Sequence, residues 1–304
     1  LKFLIPVESI VQKKGGVIIY DPIENKILRQ YIHDKEWGGR RIGWRGGKIY
    51  GDYLIATDWT DLHIFNWKEW KYVKTIKQTY FNDLHYVDVY DDKLYVVNTG
   101  LDSIEIFRNP LDPELHRTVY LFKRFKKMFK HREIDRSFSY NEQFKIKPHV
   151  AHPNCICHTG KHLFVTCFQK KPSSETGEIV CLKTGQKLTR RSYSCHDGDF
   201  YNGNFYLSNT RKAQLLIFKN VNDRKLPIEN PDYTISFGKK GWWRGMVLHE
   251  GLVYVFASFY SNKKRTALMA VVNLKKKKTV KRVTMDVKDD IYWDTIYQPN
   301  LLED

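Results

Sequence analysis

The run His85 to Arg108 recurs, without a gap, as His196 to Lys219. Identities fall at His85/His196, Asp88/Asp199, Tyr90/Tyr201, Tyr95/Tyr206, Asn98/Asn209, Thr99/Thr210, Ile106/Ile217 and Phe107/Phe218, with conservative partners between them. A gapless repeat constrains a chain more than any composition does, because each copy must fold the same way and bury its apolar faces against its neighbours. Each copy alternates apolar and polar residues over short runs. It reads as a strand, a polar turn at Asp91-Asp92 or Asn202-Gly203, a second strand, another turn and a third strand.

Weaker copies follow the same plan over Trp44 to Phe65, His152 to Cys181 and Arg244 to Leu274, making five units. The chain ends supply a sixth. Gly16 to Asp21 and Lys26 to Arg29 look like outer strands lacking an inner one, and Ile291 to Tyr297 looks like an inner strand lacking outer ones. Pairing the two ends closes a ring and removes the exposed sheet edges of an open array. The expected fold is therefore all-β, a six-bladed β-propeller forming a single domain over residues 1–304. Successive unit heads are 41, 67, 44 and 48 residues apart; the long step from His85 to His152 implies an insertion at about 109–147.

The chain carries 51 Lys and Arg against 34 Asp and Glu, a formal charge of +17. Two basic runs stand out. Lys275–Lys278 with Lys281-Arg282 lies in an expected hairpin turn, where solvated lysines are ordinary. Lys123–Arg132 interleaves Phe122, Phe125, Met128 and Phe129 at helical spacing, which predicts an amphipathic helix with a basic outer face inside the insertion. That face offers a surface for an acidic protein or another polyanion. No apolar run reaches the roughly 18 residues of a membrane span, and Lys2–Pro6 is too short for a signal-peptide core. The five cysteines, Cys155, Cys157, Cys167, Cys181 and Cys195, are odd in number and read as buried thiols, which makes a reducing cytoplasmic setting the expectation. No nucleotide-binding motif is present, so no nucleotide cofactor is expected.

In such a ring every unit begins with its innermost strand, so the residues heading the units should meet at one mouth of the central channel. That column is Trp44, His85, His152, His196 and Arg244, with the sixth unit offering Tyr292, Trp293 or Asp294. In the third position strict counting lands on Asn154, and His152 requires a longer first turn. His85, His152 and His196 could ligate a divalent Zn, Fe or Mn ion and leave positions open for water and substrate, with Asp83, Asp88 and Asp197 orienting the rings. Alternatively no metal binds: Arg244 and Arg45 hold a small anion, and His85 or His196 acts as acid, base or nucleophile. Trp44, Trp242, Trp243 and Trp293 could wall the mouth and stack on a ligand. A third reading makes the ring a non-catalytic scaffold. His149, His158 and His162 read as strand or loop residues, and His63, His116, His131 and His249 as surface ones.

Through its Leu-Tyr-Val-Val-Asn-Thr and Ile-x-Ile-Phe phrases the chain resembles the six-bladed propellers that include NHL-repeat proteins, paraoxonase-like lactonases, peptidyl-hydroxyglycine lyases and bacterial arylsulfotransferases. The lyase resemblance implies inner-strand histidines around a metal, and with it lyase or hydrolase chemistry. The sulfotransferase resemblance implies channel histidines and an arginine around a sulfuryl group, and His196-Asp197-Gly198 ahead of Asn202-Gly203-Asn204 is similar to that family's pattern. No lactonase-like set of calcium ligands can be matched residue by residue.

Overall fold

A computed structural model describes residues 1–9, 14–33, 43–121, 138–140, 151–170, 175–238, 241–261, 264–285, 295–296 and 298–302. The chain begins with three antiparallel strands, β1 (Lys2–Ser9), β2 (Lys14–Asp21) and β3 (Lys26–His33). A second sheet holds β4 (Gly46–Tyr50), β5 (Tyr53–Thr57), β6 (Asp61–Asn66) and β7 (Lys71–Lys77). The third holds β8 (Leu84–Tyr90), β9 (Lys93–Asn98), β10 (Ser103–Arg108) and β11 (Glu114–Tyr120). The fourth has β12 (Pro153–His158), β13 (Leu163–Lys170) and β14 (Glu175–Cys181).

The fifth sheet holds β15 (Cys195–Tyr201), β16 (Asn204–Asn209), β17 (Gln214–Phe218) and β18 (Tyr233–Ser236). The sixth holds β19 (Trp242–His249), β20 (Leu252–Ser261), β21 (Lys264–Asn273) and β22 (Lys278–Thr284). The chain then returns to its start: β23 (Thr295–Ile296) and β24 (Asn300–Leu302) both pair with β1. The result is the expected six-bladed propeller, closed by the C-terminal strand.

The closing blade differs in detail from the expectation. Lys2–Ser9 is a full strand, registered Phe3↔Tyr20 to Ser9↔Lys14, and it pairs with Thr295–Ile296, inside the expected inner strand, and with Asn300–Leu302 beyond it; residues 291–294 and 297 lie outside the described residues. The side chain of Gln298 bridges blades, accepting from Gly47 N–H at 3.1 Å and donating to the Val87 carbonyl at 2.9 Å. In the third blade β11 occupies 114–120, so the outer strand lies inside the stretch read as insertion and the extra chain starts after it. The basic run 123–132 falls outside the described residues.

Packing follows the alternation of the strands. Buried residues of adjacent blades form apolar layers, such as Phe3, Ile5, Tyr254, Phe256 and Met269 between the first and last blades. The five cysteines are free and buried, as expected. Inner strands crowd at the axis: a Cβ on Gly46 would come within 2.7 Å of Tyr86 Cα on the next blade, so only glycine fits.

The repeated Asn-Thr pair has a specific task. Thr99 Oγ1 donates to the Pro153 carbonyl and Thr210 Oγ1 donates to the Trp243 carbonyl, each at 2.7 Å and each onto the head of the next blade's inner strand. Because Thr210 is fully buried, Thr210→Val removes this hydrogen bond from a buried site and should cost about 1–3 kcal/mol in urea unfolding.

Candidate functional site

The inner strands share a defect at their heads. Register shifts fall between Leu84 and Tyr86, Pro153 and Cys155, Cys195 and Gly198, and Arg244 and Met246. A bulge re-aims the side chain it contains, and these contain His85, Asn154, His196 with Asp197, and Gly245. The strict count to Asn154 is thus the right register for the strand. His152 reaches the site by another route: it lies before β12 with φ 44, its N–H donating to Asp102 Oδ1 at 2.8 Å and its carbonyl accepting from Phe168 N–H at 3.0 Å.

These heads bring the predicted imidazoles near one another. The rings of His85 and His152 lie 5.1 Å apart, edge to face. Phe168 follows, 6.1 Å from His152 and 5.3 Å from His196, and Trp242 lies 4.9 Å beyond His196. The Arg244 guanidinium sits 5.7 Å from the Trp242 ring, and that of Arg211 sits 5.9 Å from Trp242 and 5.4 Å from Phe168. His85 Nδ1–H donates to the Asp83 carbonyl at 2.9 Å, which in the neutral ring leaves the lone pair on Nε2.

His196 is 5% exposed, and its Nδ1 is buried without a hydrogen-bond partner. Burial, reinforced by the positive fields of Arg244, His152 and His85, holds its pKa well below the ordinary imidazole value, so the ring is neutral at pH 7. Its neighbour Asp197 accepts from Gly245 N–H at 2.7 Å, and burial pushes its carboxyl up to about 6 against the pull of that hydrogen bond and Arg244. Further along the same strands, Lys48 pairs with Asp88 at 3.2 Å. Burial pushes the nearby Asp199 up to about 6. The Asp88/Asp199 identity therefore marks a second, acidic layer of the channel; Asp88 does not orient the imidazoles.

Other predicted residues go elsewhere. Arg45 is buried with its charge committed inward, Nη1 lying 2.7 Å from Asp83 and Nε 3.9 Å from Glu8, while its guanidinium lies 3.6 Å from the Trp59 ring centre. It is a structural cation and not an anion anchor. Trp44 is 0% exposed, in an apolar cluster with Leu4, Val17 and Phe65, and stacks on His63 at 5.2 Å. Trp243 is buried against Phe237. Neither tryptophan lines the mouth. His63, expected on the surface, is fully buried and bonds Asp58 at 3.0 Å and Tyr72 at 3.2 Å. Trp293 lies outside the described residues.

Among the described residues no group of three His, Cys, Asp or Glu side chains is disposed to hold a metal ion. The Phe168 ring packs against both His152 and His196, and the closest contact among the three channel imidazoles is the His85–His152 pair. Sequence reasoning missed Phe168 and Arg211. Arg211 had a signal, since it directly follows the repeated Asn-Thr where the third blade has Gly100. Among the described residues no helix is long and apolar enough to cross a membrane.

No family model matches the chain, and no curated protein matches it by sequence. Solved structures do share the fold. A Bacteroides caccae protein of unknown function superposes with TM-score 0.62 at 11% identity, covering 98% of both chains. A chain of a nidogen/laminin complex gives 0.57 at 8% identity, covering 98% of this chain and 97% of that one. The β-propeller domain of Cps50 (Swd1) from Myceliophteria thermophila gives 0.50 at 12% identity, covering 89% and 82%. At these identities the likeness establishes the fold alone.

The two arginines should behave differently. Arg45→Ala removes the cation that pairs with buried Asp83 and Glu8 and should cost about 3–5 kcal/mol of stability, whereas Arg244→Ala, at a partly buried position, should cost less in the same urea titration. Asp197 sets a pH dependence. Its folded pKa of about 6 lies above the ordinary 3.8, so the folded state binds the extra proton between those values and stability falls as pH rises through that window. Asp197→Asn removes this loss, and its stability relative to the native protein should improve from pH 4 to pH 7.

Proposed function

We propose that the channel mouth binds a small organic anion with a planar or apolar group and acts on it without a metal, by acid–base or group-transfer chemistry centred on His196. One observation carries this reading: a buried, neutral imidazole with an unpartnered Nδ1 stands beside Arg244 and against the indole of Trp242. A buried polar atom without a partner costs free energy that a ligand can recover.

The division of labour follows from the geometry. Arg244 and Arg211 supply positive charge around Trp242 and Phe168, so an aromatic or apolar body stacks there while its anionic group meets the guanidinium groups. His196 is already unprotonated at pH 7 and can take a proton from a hydroxyl or water, or attack an electrophilic centre directly. A bound anion offsets the positive fields of Arg244, His152 and His85 that add to burial in lowering the His196 pKa, and so raises it. Binding therefore draws in a proton, and affinity falls as pH rises through the pKa of the complex.

A second reading has its own support. His85 Nδ1–H bonded to a backbone carbonyl is the arrangement that metal-ligating histidines use, and His152 stands beside it. Elemental analysis of tag-free protein separates the two: about one Zn, Fe or Mn per chain, lost in His85→Ala, favours the metal-assisted hydrolase or lyase.

For the metal-free reading, 4-nitrophenyl sulfate and 4-nitrophenyl phosphate are the probes, followed by calorimetry and by 4-nitrophenol release. Arg244→Ala should weaken binding at least about tenfold, or about 1.4 kcal/mol. His196→Ala should bind within a few-fold of the native protein and lose turnover. Binding and turnover unchanged in both variants would remove this proposal.

A further inference from the structure

The cleft between the third and fourth blades opens at the end of β12 opposite the imidazoles, since His152 precedes that strand and His158 ends it. There the two blades leave a groove of about 290 Å³. Four aliphatic side chains, Ile106, Val119, Leu163 and Leu182, wall it, and three cations, Arg117, Lys161 and Lys183, line it with them. Its lining contains no carboxylate among the described residues. Apolar walls exclude water and concentrate the field of such cations.

His158 gives the groove a fixed polar group. Its ring is stacked on Tyr90 at 3.3 Å with an interplanar angle of 9°, and Tyr95, another lining residue, meets it edge-on at 6.3 Å. Its Nδ1 is buried with no hydrogen-bond partner. Burial lowers its pKa, so near pH 7 the ring offers a hydrogen bond and no charge. Lys161 is held in place by Nζ donating to the Asn222 carbonyl at 2.6 Å.

We infer that this groove is a second ligand site, separate from the channel, for an aliphatic monoanion: a carboxylate on a short alkyl chain, its head met by Arg117, Lys161 and Lys183 and its tail laid against Ile106, Val119, Leu163 and Leu182. The chemistry selects among amphiphiles. A neutral alcohol of the same length gains the burial of its chain without the pairing of charge, and an alkylammonium ion is repelled. The volume is roughly that of ten waters at about 30 Å³ each, the order of size of a short acyl chain.

Octanoate, 1-octanol and octylammonium are the probes, compared by calorimetry on the whole chain. Octanoate should bind one to one, at least tenfold more tightly than octanol, and more weakly as salt is raised; octylammonium should not bind. The exposed pair Arg117→Glu with Lys183→Glu should lose at least tenfold in octanoate affinity, and Val119→Trp, which fills the groove, should abolish binding. Arg244→Ala, which weakens anion binding at the channel mouth, should bind octanoate as the native protein does, which separates this site from the channel mouth.

The inference is overturned if octanoate fails to bind or binds no better than octanol, or if the charge-reversed protein, folded by circular dichroism, binds like the native one. It is also overturned if Arg244→Ala loses tenfold or more in octanoate affinity, because the anion then occupies the channel. The surface variants decide the matter even if Val119→Trp does not fold.

Discussion

The ring depends on how the head of each inner strand is held. Thr99 and Thr210 reach across from one blade to the backbone carbonyl at the head of the next, at Pro153 and Trp243. Those carbonyls sit beside the bulges that carry Asn154 and Gly245. A bulge by itself would leave ladder groups unsatisfied, and a buried one is costly. The neighbouring threonine pairs such a carbonyl, so an irregular strand end can be kept inside the protein. The chemistry-bearing side chains are therefore placed by backbone features that their neighbours stabilise.

The same crowding sets the electrostatics. Inner strands close enough to require Gly46 bring like-charged and polar groups together in a poorly hydrated channel. Evidence of the effect is seen in both signs: His196 is driven neutral, while Asp197 and Asp199 are pushed up to about 6. The charges divide by depth, with His85, His152, His196 and Arg244 at the strand heads and Lys48, Asp88 and Asp199 further along. Such shifted groups in a shared recess are what catalytic and binding sites exploit. The groove between the third and fourth blades arises differently, from aliphatic outer positions and surface cations, and is chemically independent of the channel.

Legibility in the sequence was high where contacts are local. The gapless match of His85–Arg108 to His196–Lys219 carries the strand lengths, turns and blade number, because alternation and turn residues act over a few neighbours. It also aligned His85 with His196, and the weaker copies added Arg244 to the same column and left His152 against Asn154 there. It did less well for Lys2–Ser9, whose alternation is interrupted by the run Phe3-Leu4-Ile5 buried on both faces. Phe168 lay hidden because it sits inside a middle strand and meets the site through His152, whose left-handed backbone presents its carbonyl to the Phe168 N–H.

The sequence by itself determined the number of blades, the direction of closure and the residues that head the inner strands, since each is written in contiguous chain with its own hydrogen-bond partners a hairpin away. Only the tertiary structure decided which of those residues have chemistry left to give. Arg45 and Arg244 both stand next to a tryptophan at the head of a unit. Arg45 is neutralised by Asp83 and by Glu8, the latter from a strand that the ring brings alongside, while Arg244 remains beside a neutral histidine. Trp44 and Trp242 likewise part company, one sealed against His63 and one against His196. Charge pairing and burial between blades depend on closure of the ring, and no local pattern encodes which partners that closure delivers.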